Sequence, residues 1–350
     1  MDPSGDGFCF TLLSLELLIV PVLLVCSSSL TLAAACLAGC GALNMRVLLS
    51  VLLPLLWGVA VVALDIISSV IGSGTSGNTG NGGQATSANI GSIYDVKVDS
   101  TNTYAYISDS TYNIVKRFSV STGIIQAYAG TGTAGGSGNG GQATSATLWM
   151  PRGLAISTGS ILYIAEAIYH RVRKVAANGI ISTFAGQDSY ASYGYSGDNG
   201  LATSAQLYSP TYMCFDSTQT YLYISDSGNY VIRRVRLSTN IITTFAGNGG
   251  ISYCPSTFSY SFSQSATSLS LCAPMGLAID SSSTYLYIVI YSSSMVIRVL
   301  ISTSVASYFM GGIGSSSSTS WARTSVSLFF PMGAAIDSSS NLYVAGSSLL

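Results

Sequence analysis

The apolar residues of this chain are arranged in two ways. Up to Leu64 they form near-continuous runs, Phe8 to Leu43 and Val47 to Leu64, interrupted by Asn44-Met45-Arg46. Beyond Leu64 they come as short alternating or clustered segments of Val, Ile, Leu, Tyr and Phe, punctuated by Gly, Pro, Ser and Asn. The first arrangement predicts helices without a polar face, the second short strands joined by tight turns. The stretch between them, DIISSVIGSG (65 to 74), reads either as a frayed helix end or as a first strand.

The second apolar run, at 1.5 Å per residue, is roughly 27 Å long as a helix, enough to cross a bilayer core. The same run also has the layout of a secretory signal, with Met45-Arg46 ahead of it and Val61-Val62-Ala63 before a cleavage point. Residues 1–44 are therefore read as a hydrophobic segment, a membrane helix or an upstream extension. Residues 45–63 are a signal peptide or a transmembrane helix, and residues 64–350 a separate domain. Arg46 is the one basic residue before Lys97, and the positive-inside rule would place it in the cytoplasm. Either way the expected location of the domain is extracellular, secreted or membrane-anchored.

Within the strand-like region YAYISDSTYNIVKRF (104 to 118), ILYIAEAIYHRVRKV (161 to 175), YLYISDSGNYVIRRV (221 to 235) and YLYIVIYSSSMVIRV (285 to 299) superpose without gaps. A fifth copy, NLYVAGSSLL (341 to 350), stops halfway. Their anchor residues Tyr106, Tyr163, Tyr223, Tyr287 and Tyr343 are spaced by 57, 60, 64 and 56 positions, a period of stacked or ring-closed units. Three of the copies follow an inner run introduced by Pro151, Pro210 or Pro274, and the last follows Pro331. A second and a third strand come next, and IISTFAG (180 to 186) or IITTFAG (241 to 247) supplies a fourth. Four short antiparallel strands per unit, repeated radially, are the blades of a β-propeller. Ile66 to Gly72 aligns with Ile180 to Gly186, so DIISSVIGSG is expected to be an orphan fourth strand that completes the last blade and closes the ring.

Composition agrees: 37 glycines, 22 tyrosines and 8% charged residues suit a turn-rich β chain, and 48% apolar residues suffice for a core. With a formal net charge of −1 there is no strong field for nucleic acid.

The P-x-G-hydrophobic-A-hydrophobic-D, LYIAD and N-x-R-hydrophobic-R-K/R-V elements, with the fourth-strand I-I-x-T-F-A-G, resemble NHL repeats over residues 66–350. The linkers ending in ATSAxL-x-x-P are similar to extracellular NHL arrays such as the NHL segment of teneurins. The fold class is accordingly all-β, an NHL-type β-propeller of four full blades plus an incomplete fifth shared between the N- and C-terminal strands, preceded by hydrophobic N-terminal helices. The resemblance implies that such arrays commonly close with six blades, so the domain is read as C-terminally incomplete.

Chemistry is sparse. Asp109, Glu166 and Asp226 share one repeat position, which ring closure would make a circle of metal-site candidates; the bland reading is that each accepts hydrogen bonds from the turn after strand two. One histidine, His170, falls short of a zinc site and reads as a partly exposed strand residue. Lys116, Arg117, Arg171, Arg173, Lys174, Arg233, Arg234 and Arg236 gather on third strands and read as a solvated face, not as an RNA-binding surface. Cys254 and Cys272 flank an insertion and are expected to form a disulfide worth roughly 3 kcal/mol, while Cys214 reads as a small buried hydrophobe. GTGTAGGSGNGG (130 to 141) lacks the Lys-Ser/Thr of a phosphate loop and reads as a linker. Tyr190, Tyr193, Tyr195, Tyr253 and Tyr260 lie in inter-blade loops and are the candidate contact residues. The expected function is an extracellular or membrane-tethered binding or adhesion module without catalysis or cofactor, for a protein or glycan ligand, with membrane contact through uncleaved N-terminal helices and no nucleic acid. The alternative is a propeller hydrolase or lactonase with a central divalent metal.

Overall fold

A computed structural model of the chain describes residues 69–250, 263–311 and 328–346. The hydrophobic segments predicted as helices or signal lie outside the described residues; among those described, no helix is long and apolar enough to cross a membrane.

Blade 1 consists of β1 (Ile93–Val98), β2 (Tyr104–Asp109), β3 (Ile114–Ser119) and β4 (Ile125–Ala129). Blade 2 consists of β5 (Pro151–Ile156), β6 (Leu162–Glu166), β7 (Arg171–Val175) and β8 (Ile181–Ala185), and blade 3 of β9 (Pro210–Phe215), β10 (Tyr221–Asp226), β11 (Val231–Arg236) and β12 (Ile241–Ala246). In blade 4, β13 (Ser263–Ser265) comes from the linker and precedes β14 (Pro274–Ile279), β15 (Tyr285–Ile290), β16 (Met295–Leu300) and β17 (Val305–Gly311). The fifth sheet holds β18 (Pro331–Ile336) and β19 (Leu342–Gly346). Within each of the four full blades the strands follow chain order and are antiparallel, and β13 pairs on the outside of β17. The β2–β3 type turn closes each time with a left-handed residue: Asn113, His170, Tyr230 and Ser294 have φ between 50° and 59°.

The inner strands β1, β5, β9, β14 and β18 pack side by side in that order. The Pro-x-Gly motif marks this approach. A Cβ on Gly153 would lie 2.0 Å from the Thr211 carbonyl oxygen, and one on Gly276 would lie 2.7 Å from that of Met332, so only glycine lets neighbouring inner strands come this close. The core lies between blades, not within them. Tyr106 and Val115 of blade 1, for example, pack with Leu154, Leu162 and Ile164 of blade 2, and each such apolar side chain contributes about 1.5–3 kcal/mol when buried.

The ATS linkers are staples. Each forms one 3-10 turn whose first alanine, Ala85, Ala143, Ala202 or Ala266, is at most 2% exposed. Its carbonyl accepts from the glycine that ends the preceding fourth strand: Gly130 to Ala143, Gly186 to Ala202 and Gly247 to Ala266, all at 2.9 Å. Its own N–H donates to the third-to-fourth-strand turn of the next blade, at Gly179, Asn240 and Ser304, all at 2.8 Å. The linker thus covers outer-strand edges that would otherwise invite pairing with other chains.

Gly72 donates to Ala85 at 2.8 Å and Ser73 to Ala88 at 2.9 Å, repeating the pattern at the end of a fourth strand. Residues 69–74 nevertheless form no strand, and among the described residues β19 pairs with β18 alone. The first part of the expected strand, 66–68, lies outside the described residues, and among the described ones no ladder to residues 341–345 is found. The physical reason is topological: a fourth strand bonds to a third, as in β3–β4 and β7–β8, and β19 is a second strand. Ile93, Val96 and Val98 of β1 and Tyr343 of β19 are left exposed beside a cleft of about 420 Å³.

Candidate functional site

The three equivalent carboxylates are fully buried, each inside its own blade. Asp109 accepts from the backbone of Gly91 (2.7 Å) and Tyr112 (3.0 Å), Glu166 from Trp149 (2.9 Å), and Asp226 from Tyr208 (2.7 Å). They tie the incoming linker to the blade. The circle of ligands does not form, and among the described residues no group of three or more His, Cys, Asp or Glu side chains could hold a metal.

The expected solvated basic face is overturned at four of its eight residues. Lys116, Arg171, Arg173 and Arg233 are 0% exposed, because a blade is packed on both faces and alternation on its third strand points to no solvent. Arg171 donates to Glu166 at 2.6 Å, to Asp188 and to the Gly136 carbonyl at 2.7 Å, and lies 3.9 Å from the Tyr169 ring. Arg173 stands 3.7 Å from Glu166. Arg233 donates to Asp198 (2.7 Å), Ser196 O (3.1 Å) and Gln206 O (3.2 Å), and is 3.5 Å from Asp226. Burial pushes the Glu166 carboxyl up and the Arg173 and Lys116 cations down, and pushes Asp226 up to about 7 against the pull of Asn229, Tyr208 and Arg233. Arg117, Lys174 and Arg234 are half-buried, and Arg236 is exposed.

At the axis, Tyr212 packs its ring 5.2 Å from Tyr94 and donates to the Tyr94 carbonyl at 3.3 Å, bridging blade 3 to blade 1. Arg152 covers the Tyr94 ring at 5.1 Å. Burial raises the Tyr94 phenol to about 12.

The arginine anchors hold the loop that links blades 2 and 3, and this loop presents aromatic side chains. Tyr190 lies 6.1 Å from Trp149 and 6.3 Å from Tyr169. Tyr193 stacks on Tyr208 at 5.0 Å with 26° between planes, and His170 contacts both at 5.0 and 5.2 Å. Tyr190, Tyr193, Tyr195 and Tyr208 are 58%, 53%, 43% and 40% exposed. Tyr195 bonds Thr244 at 2.8 Å beneath Arg233. Three of the five expected contact tyrosines, Tyr190, Tyr193 and Tyr195, are exposed on this loop; Tyr253 and Tyr260 lie outside the described residues. Trp149, Tyr169 and Tyr208 were missed. Trp149 and Tyr208 occupy the same slot of the ATSAxLxxP linker, and that coincidence was the available signal.

His170 is a left-handed turn residue, not a strand residue. Its Nδ1 accepts from Ser209 N–H at 3.1 Å, as Asn113 Oδ1 accepts from Met150 N–H at 2.8 Å in the previous blade, and burial lowers its pKa. Cys272 is disulfide-bonded, and Cys254, its expected partner, lies outside the described residues. Cys214 is free and only partly buried, its thiol pushed up to about 12 by burial.

Fold and repeat chemistry together define an NHL-repeat β-propeller. The family model of the teneurin NHL domain matches residues 87–320, and the chain belongs to that family. Teneurin-4 of Homo sapiens is 35% identical over 114 residues, a stretch covering 29% of this chain and 4% of teneurin-4. Among solved structures, a nidogen/laminin complex superposes with a TM-score of 0.48 at 14% identity, covering 73% of this chain and 72% of the other. A gluconolactonase from Xanthomonas campestris does so with a TM-score of 0.49 at 12% identity, covering 74% and 71%.

Proposed function

We propose that the chain is a non-catalytic binding module, displayed outside the cytosol in secreted or tethered form, that engages a protein through the aromatic face of blades 2 and 3. One observation carries this reading: Tyr190, Tyr193 and Tyr208 lie on a loop held by the buried Arg171 and Arg233, and Tyr190 meets Trp149 and Tyr169 at the edge of blade 2. Rigid, half-exposed aromatics give large amphipathic contact area at little entropic cost, the usual make-up of an interface centre. Membership of the teneurin NHL family supports a binding role and an extracellular setting. The hydrolase alternative has no specific observation in its favour.

The test is binding of the labelled full chain to intact cells, scored by flow cytometry, against the Tyr190→Ala/Tyr193→Ala variant. A loss of about tenfold or more in affinity is expected for the double variant, with binding abolished by protease treatment of the cells. Equal binding by both proteins would sink the reading; loss only after glycosidase treatment would replace the protein ligand by a glycan.

A further inference from the structure

The ends of the strands opposite the aromatic face carry a second repeated device. In blades 1, 3 and 4 a guanidinium is held between two rings: Arg117 lies 4.5 Å from Tyr104 and 5.1 Å from Tyr128, Arg234 5.0 Å from Tyr221 and 5.2 Å from Phe245, and Arg298 4.6 Å from Tyr285 and 5.7 Å from Phe309. The fourth-strand ring also meets Tyr106, Tyr223 or Tyr287 edge-on at 4.9 to 5.0 Å. Blade 2 keeps that edge-on pair, Tyr163 with Phe184 at 4.8 Å. It has Ile161 and Lys174, however, where the others have tyrosine and arginine.

An ammonium has no planar face to stack between rings, and isoleucine leaves the space of a phenol unfilled. At this place there is a cleft of about 630 Å³ between blades 2 and 3, lined among others by Ile161, Tyr163, Lys174, Phe184, Gln219 and Leu237. That is the size range of small-molecule sites. The Lys174 side chain has no hydrogen bond or ion pair with any described residue, and no Asp or Glu lines the cleft. The only formal charge in it is therefore positive. Gln219 uses its Oε1 to accept from Thr158 N and Oγ1, both at 3.1 Å, which leaves its amide N–H groups to donate. Ser182 and Thr203 add hydroxyls to the wall.

We propose that this cleft is a binding site for an acidic sugar, with the carboxylate on Lys174, ring hydroxyls on Gln219, Ser182 and Thr203, and the apolar part of the pyranose against the half-buried Ile161 and Leu237. A single unpaired cation selects the carboxylate, the surrounding donors select a hydroxylated body, and the aliphatic wall of Ile161 and Leu237 accommodates its apolar part. This site is separate from the aromatic face of the proposed binding function and does not depend on it.

The experiment is saturation-transfer NMR and calorimetric titration of the full chain with N-acetylneuraminic acid and with glucuronic acid, glucose serving as the neutral control. Saturable binding of at least one acid, and none of glucose, is expected. Lys174→Met should weaken that binding about tenfold or more, as loss of a charge partner does. Ile161→Tyr/Lys174→Arg rebuilds the stack of the other blades, so it should abolish binding while leaving the melting temperature unchanged or raised. Failure of both acids to bind, equal binding of glucose, or undiminished binding by the folded double variant would overturn the assignment.

Discussion

In blade 3 the second strand ends in Asp226, met by Arg233 at 3.5 Å and by Asn229 at 2.8 Å. In blade 4 the same two repeat positions hold Ile290 and Ile297, each 2% exposed. The repeat position therefore demands volume, and charge is an addition to it. What the charge adds is visible in the linkers: Arg233 holds Ser196, Asp198 and Gln206 of the segment leading into its blade. The linker into blade 4 is held otherwise, by β13 pairing with β17 and by the disulfide at Cys272. A buried ion pair gives little net stability against a well-packed apolar pair, but removing one member of it is costly.

The largest effect should come from Arg233→Met, which removes the buried cation 3.5 Å from Asp226 and releases three linker contacts. We expect a loss of about 3–5 kcal/mol in denaturant unfolding. Changing both partners to the blade 4 residues, Asp226→Ile/Arg233→Ile, should cost less than the single change. If the double variant is as destabilised as Arg233→Met, charge compensation is not what the pair provides.

A smaller effect concerns pH. Burial raises Asp226 from the ordinary carboxylate range to about 7, so the folded state holds that proton more tightly than the unfolded chain. Its contribution is present in full below the ordinary value near 4 and is lost as pH rises through about 7. Unfolding free energy measured across that window should fall in the wild type and fall less in Asp226→Asn. Identical slopes would assign the dependence to another group.

The smallest effect is expected in blade 1. Lys116 Nζ has no hydrogen-bond partner, while Asp109 keeps two backbone donors. Lys116→Met should change the melting temperature by no more than about 2–4 °C in either direction, in contrast to the outcome in blade 3.

The strands and their order were legible because second and third strands repeat without gaps, and because Pro151, Pro210, Pro274 and Pro331 each introduce an inner strand. The buried charges were not. Arg171 and Arg173 alternate with apolar residues as a half-solvated strand would, and only packing on both faces reveals that neither side meets water. The closing strand was less legible, since alignment shows its likeness to β8 but not that β19, as a second strand, pairs with β18 and offers no ladder to a fourth strand. On the aromatic face, loop tyrosines were recognisable by position. Trp149 and Tyr208 were hidden because the residues before Pro151 and Pro210 read as linker.

Each ATS turn donates to one blade and accepts from its neighbour, so tension along the backbone would not peel off a blade on its own. The load would cross the staples in series before any strand pair opened. A domain joined in this way transmits mechanical force as a single body.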